Sequence, residues 1–157
     1  MAVEVSNNHK QQKATERTPR ILVFACKWCG LIGADGAGRK REPLPPNFRV
    51  IPVECVGSVE PDAVIRAFAD GMDGVIVMGC HLGGCRFNDA NHAAFKRLEL
   101  LRALLEGVGI GRDRLLVTFG TAHEGHQFTD VLRNFTNLIA KKESLDTSWT
   151  SSRARMI

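Results

Sequence analysis

Three short apolar runs that each stop on a cysteine constrain this chain more than any other feature. They are ILVFAC (21–26), FRVIPVEC (48–55) and GVIVMGC (74–80), and a fourth run, LLVTFG (115–120), has the same character without the cysteine. Apolar runs of this length, rich in β-branched and aromatic residues, read as strands buried on both faces. Pro52 cannot donate to a ladder, so the second run is expected at a sheet edge.

The segments between the runs carry helical spacing. In EPDAVIRAFADG, Pro61 sits in a first turn, Val64, Ile65 and Phe68 share a face, and Gly71 suits the C-terminal end. In NDANHAAFKRLELLRALLEGVGI, a stripe of Ala94, Leu98, Leu101, Leu105 and Val108 follows a cap at Asn88 or Asp89 and closes near Gly107 or Gly109. A last helix is expected from Glu124 to Lys141, with Phe128, Val131, Phe135 and Leu138 on one face. The Gly-rich segment after the first strand is closed by PLPP (43–46), where proline bars a helix.

Strands alternating with helices predict an α/β fold with right-handed crossovers. Four strands make a small parallel sheet of flavodoxin-like order 2-1-3-4, helices on both faces, with sites beyond the carboxyl ends of the strands. The expected organisation is a disordered basic arm over 1–19, a single α/β domain over 20–141, and a polar tail over 142–157.

Charge placement narrows the function. The formal net charge of +4 resides wholly in the two tails, +2 in residues 1–20 and +2 in 141–157, and the intervening chain is balanced. No folded basic surface is therefore expected for nucleic acid, and with no Tyr and 6% aromatic residues there is little to stack bases on. No apolar run approaches the ~20 residues of a membrane span. The N-terminal segment lacks the apolar centre of a secretory signal, which predicts a cytoplasmic chain without membrane insertion.

Five cysteines in such a compartment are not expected to form disulfides. Cys26, Cys55 and Cys80 end three strands, and Cys29 and Cys85 follow in the adjoining loops. Neighbouring strands lie about 4.8 Å apart, so all five thiols could meet at one rim. Three chemistries suit such a set. A dithiol switch would use Cys26 and Cys29 in the strand–Cys-x-x-Cys placement. A structural zinc site would use four thiolates. An iron–sulfur cluster would be held from loops of irregular spacing, with Gly83 and Gly84 letting backbone N–H groups approach the sulfurs. His81, His123 and His126 fall near the same rim. No Ser/His/Asp arrangement, carboxylate pair or dinucleotide-binding glycine fingerprint is present.

The blocks CKWCGLIGAD (26–35), PPNFRVIPVEC with the following Val-Gly (45–57), DGVIVMGCHLGGC (73–85) and EGHQF (124–128) resemble the delta, or iron–sulfur, subunit of methyl-viologen-reducing hydrogenase. The resemblance runs from about Arg20 to Ile139. It implies a 2Fe–2S cluster held by Cys26, Cys29, Cys80 and Cys85, with Cys55 as a fifth thiol and Gly83, Gly84, His81 and Trp28 around it. It also implies an electron-transfer subunit without a catalytic site of its own. Such a subunit would work between a hydrogenase or formate dehydrogenase and a heterodisulfide-reductase-type flavoprotein. Ser58, Gly84 and His123 depart from the family pattern. The alternative is a thiol-based redox or sulfur-transfer protein using Cys26 and Cys29, and a zinc scaffold comes third.

Overall fold

The apolar runs form one parallel sheet of four strands in the order β2-β1-β3-β4, in a computed structural model that describes residues 18–120 and 125–145. The strands are β1 (Ile21–Cys26), β2 (Phe48–Val53), β3 (Gly74–Cys80) and β4 (Leu115–Gly120). Residues 1–17, His123, Glu124 and the tail from Asp146 lie outside the described residues. β2 is an edge strand, and Pro52, opposite Ala25, lies within it as expected. Every residue of β3 is buried, as a central strand covered on both faces requires.

Period-two alternation sends side chains to two separate cores. Ile21, Val23, Ala25, Ile76 and Met78 face one side with Phe128, Leu132, Phe135 and Ile139 of α4 (Gly125–Ala140). Phe24, Val75 and Val77 face the other, with Val64 and Phe68 of α2 (Pro61–Ala69) and Ala94, Leu98, Leu101 and Leu105 of α3 (Ala90–Gly107). Paired residues such as Val23 and Ile76, or Phe24 and Val77, share a face because the strands are parallel and in register.

Two expectations need correction, and one segment gains an element. β2 ends at Val53, so Cys55 does not close the strand; it caps a short 3₁₀ turn over Val56–Ser58. The stripe of α3 stops at Leu105, because the helix ends at Gly107 and Val108, just past it, is 72% exposed. The Gly-rich segment is a helix, α1 (Gly30–Arg39), although four of its ten residues are glycine. Its small residues let it lie against α4: a Cβ on Gly125 would stand 3.2 Å from the Ala37 nitrogen and 3.4 Å from the Gly36 carbonyl carbon. The contact is close to backbone against backbone, and it supplies what glycine's poor helix propensity does not.

Candidate metal centre

The site is assembled from three chain segments that leave the carboxyl ends of β1, β2 and β3. After β1, the amide of Cys29 donates to the Cys26 carbonyl at 3.3 Å, closing the CKWC segment into a turn, and α1 starts directly behind it. After β2, the Cys55 sulfur accepts the Gly57 amide at 3.3 Å, so the 3₁₀ turn is capped by a thiol rather than by the usual oxygen. After β3, the GCHLGGC segment turns at Gly83, whose φ of +82° is the left-handed conformation that disfavours a side chain. A Cβ there would meet nothing within 4 Å. Gly83 therefore serves the turn.

These turns bring all five cysteines into one packed cluster, Cys26, Cys55 and Cys80 buried and Cys29 and Cys85 partly so. The Cys26 and Cys80 sulfurs are 3.6 Å apart, and the Cys55 and Cys85 sulfurs are 3.7 Å apart. Cys29 lies near enough to Cys80 to raise that thiol further. Two thiolates on one tetrahedral metal, each at about 2.3 Å, would stand about 3.8 Å apart. Both pairs fit that separation. Among the described residues no three His, Cys, Asp or Glu side chains surround a single point as one closed ion site would. The donors thus come as two neighbouring pairs plus one.

Burial dominates the electrostatics. Removal from water pushes the Cys26 thiol up to about 11, against the opposing pull of the Trp28 amide. Burial likewise pushes Cys80 up to about 11, with the Cys29 thiol adding to the rise, and it raises Cys55 against the pull of the Gly57 amide. The Gly57 N–H is hydrogen-bonded to the Cys55 sulfur, and the amides of Trp28 and Cys29 favour the Cys26 thiolate. A set of soft donors with amides directed at them suits an iron–sulfur group, whose sulfurs accept such hydrogen bonds.

Several residues that shape the site escaped the sequence reading. Asn91, fully buried in the first turn of α3, donates its Nδ2 to the carbonyls of Cys80 at 3.1 Å and His81 at 2.8 Å. Its signal was present: Asn91 is a polar residue in register with the stripe of Ala94, Leu98, Leu101 and Leu105. Arg97 donates to the carbonyls of Gly57 and Val59 at 2.8 and 2.9 Å and holds the turn that carries Cys55. Gly57 lies so close to α3 that a Cβ would stand 2.9 Å from that of Ala90. Arg86 stacks its guanidinium 4.1 Å from the Trp28 ring centre, linking the CKWC and GCHLGGC segments.

The other expected site residues divide. Trp28 packs against the cysteine cluster. His81 and Gly84 are exposed beside it, with the Gly84 amide donating to the His81 carbonyl at 2.9 Å. His126 is drawn instead to Glu42, Nδ1 to Oε1 at 2.9 Å. A groove of about 510 Å³ between α2 and α3, lined by Ile65, Leu104, Val108 and Ile110 among others, shares no residue with the thiols. Chemistry-bearing side chains concentrate at the rim.

An α/β domain that gathers five thiols beyond the carboxyl ends of its strands has the donors of a metal or thiol-redox site. Residues 21–142 match the family described as methyl-viologen-reducing hydrogenase, delta subunit, and the chain belongs to that family. It is 40% identical over 126 residues to an F420-non-reducing hydrogenase iron-sulfur subunit of Archaeoglobus profundus, covering 80% of this chain and 92% of that one. It is 39% identical over 110 residues to the F420-non-reducing hydrogenase vhc iron-sulfur subunit of Methanococcus voltae, covering 70% of this chain and 76% of that one. A third relative is one of the subunits of the ferredoxin/F(420)H(2)-dependent CoB-CoM heterodisulfide reductase of Methanosarcina acetivorans, 34% identical over 133 residues. That match covers 85% of this chain but 16% of the much longer relative.

Proposed function

We propose that the chain is a 2Fe–2S electron-transfer subunit that relays electrons between a hydrogenase or formate dehydrogenase and a heterodisulfide-reductase-type flavoprotein, in the cytoplasm. The observation that carries the reading is the convergence of five thiols as pairs 3.6 and 3.7 Å apart. In a binuclear cluster each iron takes two protein thiolates, and two pairs at tetrahedral separation match that demand. The cluster, when bound, supplies one-electron storage. The chain's own residues hold it, direct amides at its ligands and shield it on the inner side.

The thiol separations support Cys26 with Cys80 on one iron and Cys55 with Cys85 on the other, with Cys29 beside Cys80 as the exchangeable fifth thiol. This departs from the assignment that the resemblance implies, where Cys55 is the fifth. Partners follow from the relatives' names: the same kind of sequence occurs as a hydrogenase iron-sulfur subunit and as a minor part of a longer heterodisulfide reductase chain. Fusion of a domain to a larger protein is what stable docking between the two would become in one chain. The dithiol alternative draws less support. The hydrogen-bonded thiol partner of Cys26 is Cys80, and burial pushes Cys26 up rather than toward a reactive thiolate.

Anaerobic purification tests the reading. The expected product is reddish-brown, with about two irons and two acid-labile sulfides per chain. Dithionite should then develop the rhombic EPR signal of a reduced 2Fe–2S centre. Colourless protein with one tightly held zinc would overturn it. Replacing Cys29 with Ser should leave the cluster in place, whereas Cys55→Ser should lose iron. The reverse result would restore the assignment implied by the resemblance.

A further inference from the structure

Trp28 carries a polar group that no described residue satisfies. Its indole nitrogen is buried and has no hydrogen-bond partner among the described residues. An indole N–H can only donate, and buried donors are almost always paired. The ring packs against the core cluster that contains Cys26, Cys55 and Cys80, as Cys29 and Cys85 also do. Two cations lie against it, the Arg86 guanidinium 4.1 Å and the Lys27 ammonium 5.4 Å from the ring centre. A cation on the face of an aromatic ring draws electron density from it, which makes the indole N–H a stronger donor. The neighbouring amides already have acceptors, that of Cys29 the Cys26 carbonyl and that of Gly57 the Cys55 sulfur.

We propose that the Trp28 indole N–H donates to a sulfur of the bound cluster, and that with Arg86 stacked on its ring Trp28 sets the reduction potential. The inference rests on the cluster reading above. Reduction by a one-electron donor adds a negative charge to the cluster without breaking or making a covalent bond. A hydrogen bond to sulfur and the adjacent Arg86 cation favour the more negative form, so together they raise the potential, whereas the Lys27 charge is paired with Glu54. Trp28 is a tuning residue here, distinct from the ligands.

The experiment uses the full chain, prepared anaerobically with its tryptophans labelled with ¹⁵N in the indole. Dithionite-reduced protein is measured by pulsed EPR, and the midpoint potential is found by redox titration, for the parent chain, Trp28→Phe and Arg86→Gln. The parent should show hyperfine coupling to an indole nitrogen, which Trp28→Phe should abolish. Iron and sulfide content should stay at the parent level while the potential shifts to a more negative value. Arg86→Gln should shift it the same way by less, with the coupling retained. A parent that holds its cluster but shows no indole coupling would overturn the proposal, and so would an unchanged potential in Trp28→Phe. If Trp28→Phe does not assemble a cluster, the coupling in the parent decides alone. Absence of any cluster in the parent would strike the functional reading itself, before any variant is made.

Discussion

At the scale of single residues, the buried thiols govern how the metal-free protein responds to pH. Burial raises Cys26 and Cys80 from 9.0 to about 11, so the folded chain favours the neutral thiol more than the unfolded chain does. Their contribution to stability is fully present below pH 9 and is lost as the pH rises through about 11. The melting temperature of metal-free protein should therefore fall across that window, and Cys26→Ala should flatten the fall. The same shifts mean that thiolates form chiefly on metal capture, so loading should release protons measurable in weakly buffered solution. In metal-free protein at neutral pH, the half-exposed Cys29 and Cys85 should alkylate before Cys26 and Cys80, which are 1% and 3% exposed. Mass spectrometry of partially alkylated protein would order the sites, and early modification of Cys26 would contradict the burial argument.

At the scale of elements, α3 acts as the post on which two of the cysteine turns hang. Its Asn91 holds the end of β3, its Arg97 holds the turn after β2, and Ala90 rests against Gly57. Asn91→Leu keeps the side-chain volume but leaves the carbonyls of Cys80 and His81 without that donor. It should cost about 1–3 kcal/mol in urea denaturation. Gly57→Ala should cost about 1–3 kcal/mol by overpacking against Ala90 and should also displace Cys55, lowering iron content. Gly83→Ala separates turn conformation from packing: its Cβ would meet nothing, so only the left-handed φ is penalised, by about 1–2 kcal/mol. If Gly57→Ala and Gly83→Ala retained iron equally well, the placement of Cys55 against α3 would not matter to the site.

At the scale of the whole molecule, the sheet divides its burden between a face packed by α2 and α3 and a face packed by α1 and α4, with the thiols on the first. Phe68 and Phe128 anchor the two faces, at 0% and 2% exposure. Either one replaced by Ala should cost about 3–5 kcal/mol. Phe68→Ala, on the thiol face, should also weaken cluster retention, while Phe128→Ala at similar global stability should not. Among the described residues no helix is long and apolar enough to cross a membrane. Much of this plan was legible in the chain. Continuous apolar runs fixed the positions of β1, β3 and β4 through burial alone, Pro52 marked the edge through its missing donor, and cysteines at the run ends announced the rim. Local physics suffices for these because it acts between near neighbours. The rest depends on distant approach. α1 has no propensity to recommend it and is held by α4, far along the chain. The thiol pairs join Cys26 to Cys80 and Cys55 to Cys85, 54 and 30 residues apart. Only the crossing of three loops over one sheet edge decides which sulfurs come within reach of one metal, because no local preference acts over such separations.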